Sequence, residues 1–455
     1  MSGWSGGAPR QLRTTAARGC GYLDRPVKPM SAPPDAPSHR HRPGTARAAL
    51  SYPDFRWIWL GLFASNIGTW MQNFTLPAYI EDRTESAALV GLLVFTQLGP
   101  LLLLSIPAGV LADRFPRRPY LVVMQAIQAV FSILLAVFVA TDTPMWTLFA
   151  CSLAIGIGNA LNAPAFQASV PLLVHRADLG GAVALNSVMI NGSRVLGPLL
   201  AAGLIALGVS RPWLFFVNAL TYVFLIAAIV LVRIPDVRGQ HTEVGWRRLL
   251  IGVNIARSRP VLARLLLTMC IFSMVCLVYV GLFPSVARRN FGVDVDSASY
   301  NLLYTVWGVG ACLGALAVGT VLAAVDRRRL VVHGFLLFAI SLGAFAIARS
   351  VGVAYPIAFV LGFAYFLGAT ALITIFQENL ADTERAVVMP LWFMSFGGSI
   401  PIGNLLFGPV IDAVGARWVL GLGAVTAVFL AWWCDLRRMP AEHFLAPAGP
   451  VTAGP

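Results

Sequence analysis

One carboxylate and three guanidiniums stand within six residues, at Asp113, Arg114, Arg117 and Arg118 of the stretch GVLADRFPRRPYLVV (109–123). Uncharged apolar chain flanks them on both sides, from Leu89 to Val110 and from Tyr120 to Ala140. An acid among arginines suits ion pairs and charge-assisted hydrogen bonds, and a carboxylate can also cap a helix N-terminus. The arrangement reads as a latch between two packed bodies. Arginines alone would serve to fix orientation across a membrane. A further charge, Arg194, lies alone about 13 residues into an apolar run, about 19 Å along a helix. That is past the middle of a bilayer core about 30 Å thick, where a charge is costly and faces a cavity or a partner. The bland alternative is packing against Asn186, Asn191 or helix-end carbonyls.

Polar side chains within other apolar runs add to this inventory. Asn66, Thr69 and Asn73 recur at i, i+3 and i+7 on one helical stripe, with Gln72 beside it. Such a stripe either holds helices together or wets a cavity. Gln97, Gln125, Gln128, Asn159, Asn162, Asn301 and Asn404 are further amides in apolar surroundings. Trp70, Tyr279, Tyr304, Trp307, Tyr365 and Trp392 could meet an apolar substrate, whereas Trp57, Trp59, Trp432 and Trp433 suit the membrane interface. No acid lies at mid-depth. Glu378 and Asp412 fall near opposite ends of the tenth and eleventh runs.

The elements that must position these groups are membrane helices. The chain is 58% hydrophobic and 12% charged, against about 25% charged in soluble proteins. About twelve apolar runs are long enough to span a bilayer, near 56–79, 88–111, 119–140, 145–165, 182–208, 212–233, 261–286, 300–324, 330–348, 353–376, 387–411 and 416–434. With both termini cytoplasmic, about 26 of the 33 basic residues fall inside and about six outside. The net charge of +13 is therefore a topology signal and not a nucleic-acid footprint.

The six cysteines show neither metal nor disulfide spacing, and His39 and His41 flanking Arg40 read as part of a solvated tail. Lys28 is the sole lysine and no G-x-x-x-x-G-K-[ST] occurs, which excludes a phosphate-binding loop of that kind. An enzyme is not expected, nor a cofactor or a bound metal. Residues 1–50 read as a disordered basic cytoplasmic tail. Their first 23 residues are Arg-rich and acid-free, as in an organellar transit peptide, and a true start at Met30 is the rival reading.

The chain repeats at an offset of about 210 residues. Gly109 before Asp113 returns as Gly319 before Asp326 and Arg327–Arg329; Phe166-Gln167 returns as Phe376-Gln377; Gly197-Pro198 returns as Gly408-Pro409. Six helices between copies give both halves one orientation. The expected layout is an N-terminal six-helix half at 51–235, a cytoplasmic linker at 236–259, a C-terminal six-helix half at 260–437 and a tail at 438–455.

On these residues the chain resembles the major facilitator superfamily. GVLADRFPRR resembles its loop motif between helices 2 and 3, matched at Gly109, Asp113, Arg114, Arg117 and Arg118, with Pro116 where a glycine is usual. NIGTWMQNFTLP (66–77), ALNSVMINGSRVLGP (184–198) and FMSFGGSIPIGNLLFGPV (393–410) resemble the drug–proton antiporter branch that holds the enterobactin exporter and macrolide efflux proteins. Gly192, Gly197 and Pro198 resemble the branch's helix-bending motif, repeated at Gly408 and Pro409, although LLAA follows where glycines are expected. Ser152 replaces the arginine of the helix 4 motif.

The resemblance implies an all-α fold of two parallel six-helix bundles. It implies a monomeric secondary transporter in the bacterial inner membrane that exports small organic molecules, such as a drug or siderophore, against protons. The alternative is an importer of the same fold for a small nutrient, with an anion as one option. The expected gating residues are Gly109, Asp113, Arg114, Arg117, Arg118 and Asp326, with Asp382 and Glu384 as acids facing the arginines. The cavity or coupling candidates are Asn66, Thr69, Gln72, Asn73, Asn191, Arg194, Tyr304, Trp307, Glu378 and Trp392.

Overall fold

The computed structural model describes residues 41–232, 234, 246–440 and 443–444. Residues 1–40, 233, 235–245, 441–442 and 445–455 lie outside the described residues, as do the side chains of Asp113, Asn191 and Asp382. Among the described residues twelve long helices follow one another: α1 Pro53–Thr84, α2 Ala87–Arg114, α3 Arg117–Ala140, α4 Met145–Ser169, α5 Leu179–Ala206, α6 Arg211–Leu231, α7 260–291, α8 Ala298–Gly319, α9 Arg327–Ile347, α10 Val351–Glu378, α11 382–414 and α12 Ala416–Trp433. Among the described residues ten helices are long and apolar enough to cross a membrane, and the stretch Leu249–Ser258 with Pro260–Cys276 at the start of α7, bent by 112° between them, makes an eleventh if taken as one span. The 32-residue α1 is long enough as well, but Asn66, Gln72 and Asn73 dilute its apolar content.

Prolines and glycines mark the ends. Pro53 opens α1 and Pro260 opens α7, each in a first turn, where a missing N–H costs nothing. Pro284 holds the same position where α7 resumes at Phe283. Gly292 ends α7 at φ +64, a left-handed conformation that glycine adopts without a Cβ clash. Two helices are interrupted by a π turn, α7 at Phe272–Cys276 and α11 at Met394–Gly398. The two helices cross closely beside these turns, for a Cβ on Gly403 of α11 would lie 2.0 Å from the Met274 carbonyl.

Helices α1–α6 pack on one another, α1 against α5 and α6, α2 against α4, and α3 against α4 and α6. In the other half α10 packs against α8 and α9, and α9 against α12. The halves meet along α2–α11 and α5–α8. Two stretches of the expected layout carry structure of their own. Residues 46–50, read as the end of a disordered tail, form a short helix, Ala46–Leu50, fastened to the start of α5. Its hold is Asp178, which accepts from the Gly44 N–H (2.9 Å) and the Tyr52 hydroxyl (2.9 Å). The linker holds the helix Trp246–Ser258, bent by 112° from α7.

The end of the bundle where α1 begins is the terminal end, and the opposite one is the far end. At the far end α2 and α11 almost touch. A Cβ on Gly91 would lie 2.3 Å from the Asn404 carbonyl, and one on Gly408 would lie 2.6 Å from that of Ala87. The contact continues as far as Leu102, which a Cβ on Gly398 would meet at 2.5 Å; beyond it nothing lies within 4 Å of a Cβ placed on Gly109, and α2 has little contact with the stretch Asp382–Phe393 of α11. The piece Asp382–Phe393 of α11 leans instead on the linker helix, where Gly252 meets the Val387 carbonyl.

Candidate functional site

A cavity of about 440 Å³ lies between the halves, within the size range of small-molecule sites. Its two walls differ in chemistry. The N-terminal half supplies amides and one charge, with three rings, Trp70, Phe74 and Tyr222, among them: Asn66 and Asn73 from α1, Gln97 from α2, Gln125 and Gln128 from α3, Asn159 and Asn162 from α4, and Arg194 from α5. The C-terminal half supplies rings: Phe283 from α7, Tyr300, Tyr304 and Trp307 from α8, Tyr365 and Phe366 from α10, and Phe393 and Phe396 from α11.

Close packing of α5 on α1 sets the position of Arg194. A Cβ on Gly197 would lie 2.6 Å from the Trp70 Cβ and 2.7 Å from the Met71 nitrogen, so only glycine admits this approach. One turn earlier on α5, the Arg194 guanidinium lies 5.2 Å from the Trp70 ring centroid and 6.0 Å from that of Phe366. These distances are those of cation–π contacts. Its Nε is buried without a hydrogen-bond partner among the described residues. No carboxylate is among the described lining residues, and Arg194 is the one charge. Gln97 Nε2, Gln125 Oε1 and Asn162 Oδ1 are likewise buried without a partner there. A buried polar group left unpaired is costly, so these four atoms stand ready for a ligand's polar groups or for water.

The opposing rings form one connected wall. Tyr304 meets Phe74 at 4.8 Å, Phe283 at 4.9 Å and Trp307 at 5.3 Å between centroids. Trp307 stacks on Tyr365 at 6.3 Å and donates its indole N–H to the Tyr279 hydroxyl (3.1 Å), which fixes its ring.

Of the residues singled out from sequence, Asn66, Thr69, Asn73, Arg194, Tyr304 and Trp307 line the cavity. Three others lie elsewhere. Gln72 turns about 100° from Asn73 around α1, into the N-terminal half. There its Oε1 accepts from Ser132 (2.9 Å) and Asn218 (2.8 Å). Trp392 is buried against Phe376 at 5.0 Å. Glu378 is exposed at the terminal end of α10 and pairs with Arg327 (2.6 Å). Tyr279 supports Trp307 from behind, and Asn301 and Asn404 lie outside the lining. Missed in the sequence were Phe74, Phe283, Tyr300 and Phe366, because 27 phenylalanines in one chain carry no positional signal.

At the terminal end, Arg114 is exposed, Arg117 is buried, and Arg118 donates its Nε–H to the Ile229 carbonyl (3.2 Å) within its own half. Asp326 caps its own helix α9 by accepting from the Arg328 N–H (2.9 Å). Glu384 was expected to face the loop arginines. It pairs instead with Arg259 (2.7 Å) of its own half and accepts from the Ala381 N–H. The Asp113 and Asp382 side chains lie outside the described residues.

The far end carries a charge clasp that the sequence did not reveal. Asp412, at the end of α11, reaches across the seam to the N-terminus of α2. Its Oδ1 accepts from the Ala87 N–H (2.8 Å), and its Oδ2 from the Ala88 N–H (2.9 Å) and the Ser86 hydroxyl (3.0 Å). The helix dipole adds to these charge-assisted bonds. Arg289 of α7 binds Asp412 (2.6 Å) and the Glu85 carbonyl (2.7 Å) at once. Arg288 donates to the Glu81 carbonyl (3.0 Å) and lies 3.5 Å from Asp82. Arg211 joins Asp82 (3.0 Å) of its own half to Asp296 of the other.

Comparison with known proteins adds the family. Residues 44–448 match the family described as transmembrane secretion effector. The enterobactin exporter EntS of Salmonella typhi is 26% identical over 377 residues, 82% of this chain and 87% of that protein. The staphyloferrin A transporter of Staphylococcus aureus is 22% identical, over 77% of this chain and 87% of its own length. Among solved structures, a bacterial homologue of the human lysosomal transporter Spinster, inward-facing and unoccupied, superposes with a TM-score of 0.67. It covers 87% of this chain and 99% of its own, at 17% identity. The nucleoside transporter NupG follows at a TM-score of 0.65, 12% identity and 85% of this chain.

Proposed function

This chain belongs to the transmembrane secretion effector family of major facilitator transporters, and from that premise we propose that it exports a small organic anion carrying aromatic or otherwise flat apolar groups, by alternating access driven by proton antiport. The observation that carries the substrate class is the two-walled cavity, where one guanidinium without a carboxylate partner and a row of amides face a wall of rings. Arg194 supplies the charge an anion needs, and Tyr304, Trp307 and Phe366 supply faces for stacking. Siderophores fit this description, and the relatives named for enterobactin and staphyloferrin A support that choice.

The terminal end is assigned to the cytoplasm. Among the described residues only Arg83, Arg211, Arg288, Arg289, Arg349 and Arg417 stand at the far end, against a basic excess at the other. With that orientation the outer gate is shut, and the cavity opens toward the cytoplasm, where α2 and α11 part. A cytoplasmic anion enters there, Arg194 holds it, and release of the far-end clasp delivers it outside. One chain supplies both walls, so the unit of transport is the monomer.

The test is uptake into everted membrane vesicles of a panel that pairs anionic catecholates with neutral methylated analogues, with and without an imposed pH gradient. Gradient-driven accumulation of the anions, and not of the neutral forms, is the expected result. Equal accumulation of both would remove the anion reading.

A further inference from the structure

Glu81 is a buried carboxyl to which the cavity and the clasp give no task. It sits on α1 one turn beyond Pro77, which with Phe74, Phe283, Pro284 and Tyr300 lines the far-end floor of the cavity. Its relative exposure is 0%, in a chain whose other far-end acids keep some contact with solvent. It lies on the seam between the halves, its Oε2 in a short hydrogen bond from the Ser285 hydroxyl of α7. Its Oε1 has no hydrogen-bond partner among the described residues.

The neighbouring cations are engaged elsewhere. From α7, Arg288 binds the Glu81 carbonyl rather than its carboxyl and leans on Asp82 and Glu85, while Arg289 holds Asp412 of α11. From α6, Arg211 is held by Asp82 and Asp296. The charged groups around Glu81 thus form their own pairs, and on the side of α8 the buried Tyr300 lies within electrostatic reach. A carboxylate without water, with half its acceptor capacity unused, is disfavoured relative to the neutral acid. Opening the far end would separate α1 from α7 and give the same group to water.

We propose that Glu81 is the proton-binding site of the transport cycle, neutral as the far end closes over it and ionised before it reopens. This rests on the proton-antiport reading and names its carrier. At the open far end the carboxylate takes a proton from external hydronium, forming the O–H bond and releasing water. The neutral acid then allows α1 and α7 to close over it. With the cavity open to the cytoplasm, the O–H bond breaks and the proton passes to cavity water one helical turn away. The carboxylate left behind favours reopening of the far end with substrate aboard. Acid therefore favours a shut far end and alkali an open one.

The test uses full-length, cysteine-free protein in lipid nanodiscs with spin labels at Ser210 and Ser350, two far-end helix caps whose side chains make no capping bond. Distance distributions are compared at about pH 5 and about pH 8, both above the ordinary glutamate value of about 4.3. The wild type is expected to gain a longer-distance population on going to about pH 8. Glu81→Gln should hold the short distance at both values, and Glu81→Asp should restore the response. A Glu81→Gln protein that follows pH as the wild type does, or a wild type that does not respond, overturns the proposal. Export from everted vesicles, measured in parallel, separates the two readings. A far end that follows pH through Glu81 while export ignores the gradient contradicts antiport and leaves the proton site standing. Gradient-driven export that survives Glu81→Gln unchanged overturns the site and leaves antiport standing.

Discussion

The two ends of α2 pose one problem with two visibilities. At the terminal end the helix finishes in Asp113 among arginines, contiguous in sequence. At the far end it begins at Ser86 under a carboxylate that arrives from α11, 326 residues away. The sequence suggested that an acid on one half would cap a helix N-terminus on the other. The structure shows that arrangement at the far end, with Asp412 as the acid and α2 as the helix. Contiguity makes a motif readable, whereas assembly from residues 85, 86, 289 and 412 is equally specific and leaves no local trace.

The comparison can be broken most forcefully at the terminal end. Asp113→Asn keeps the side chain's shape and removes the charge, so it should nearly abolish transport while membrane levels stay at the wild-type value. Vesicle export normalised to immunoblot measures this. Wild-type export by the variant would leave the far-end clasp as the one charge latch on α2.

Asp412→Ala should come next. It removes acceptors for two backbone N–H groups and a hydroxyl and leaves Arg289 without its carboxylate. The expected shift toward an open far end is about 2–4 kcal/mol. Cysteine-labelling rates at Ser285, which is buried on the seam while this end is shut, would report it as a rise of at least about thirtyfold. Unchanged labelling would mean that the glycine contacts at Gly91 and Gly408, not the charges, hold this end shut.

The smallest effect belongs to the outermost pair. Arg83 and Asp142 lie 3.2 Å apart, but the Asp142 side chain is 78% exposed. Arg83→Gln should therefore move the labelling rate by less than about a factor of five, as for other exposed ion pairs worth under about 1 kcal/mol. A change as large as that of Asp412→Ala would extend the clasp to the rim.

Much of the architecture was legible because lipid imposes it. Apolar runs of bilayer length, the arginine bias and the paired Gly-Pro marks report constraints that act along the chain. Arg194 was legible too, since a lone charge deep in an apolar run has few reasons to exist. The failures share a cause. Gln72 and Asn73 are neighbours in sequence, yet one faces a protein core and the other the cavity, and without neighbouring helices their faces cannot be told apart. Asp412 stood out in the sequence only as an acid near the end of an apolar run and Glu81 did not stand out at all, because what distinguishes them is the helix from the other half that covers them. The aromatic wall was hidden by the abundance of rings, and the π turns at 272–276 and 394–398 have no sequence signature of their own.

The central claim is that Arg194 anchors an anion between these two ends, and purified protein tests it most directly. Binding of an anionic catecholate siderophore should be measured by calorimetry for the wild type and Arg194→Gln, with thermal stability followed on the same samples. Loss of a charge-assisted contact predicts affinity weaker by about 10- to 100-fold. The melting temperature should fall only slightly, because the buried Nε has no hydrogen-bond partner among the described residues and what is lost is the pair of cation–π contacts with Trp70 and Phe366. Equal affinity together with a lowered melting temperature would show Arg194 to be a packing residue and contradict the account.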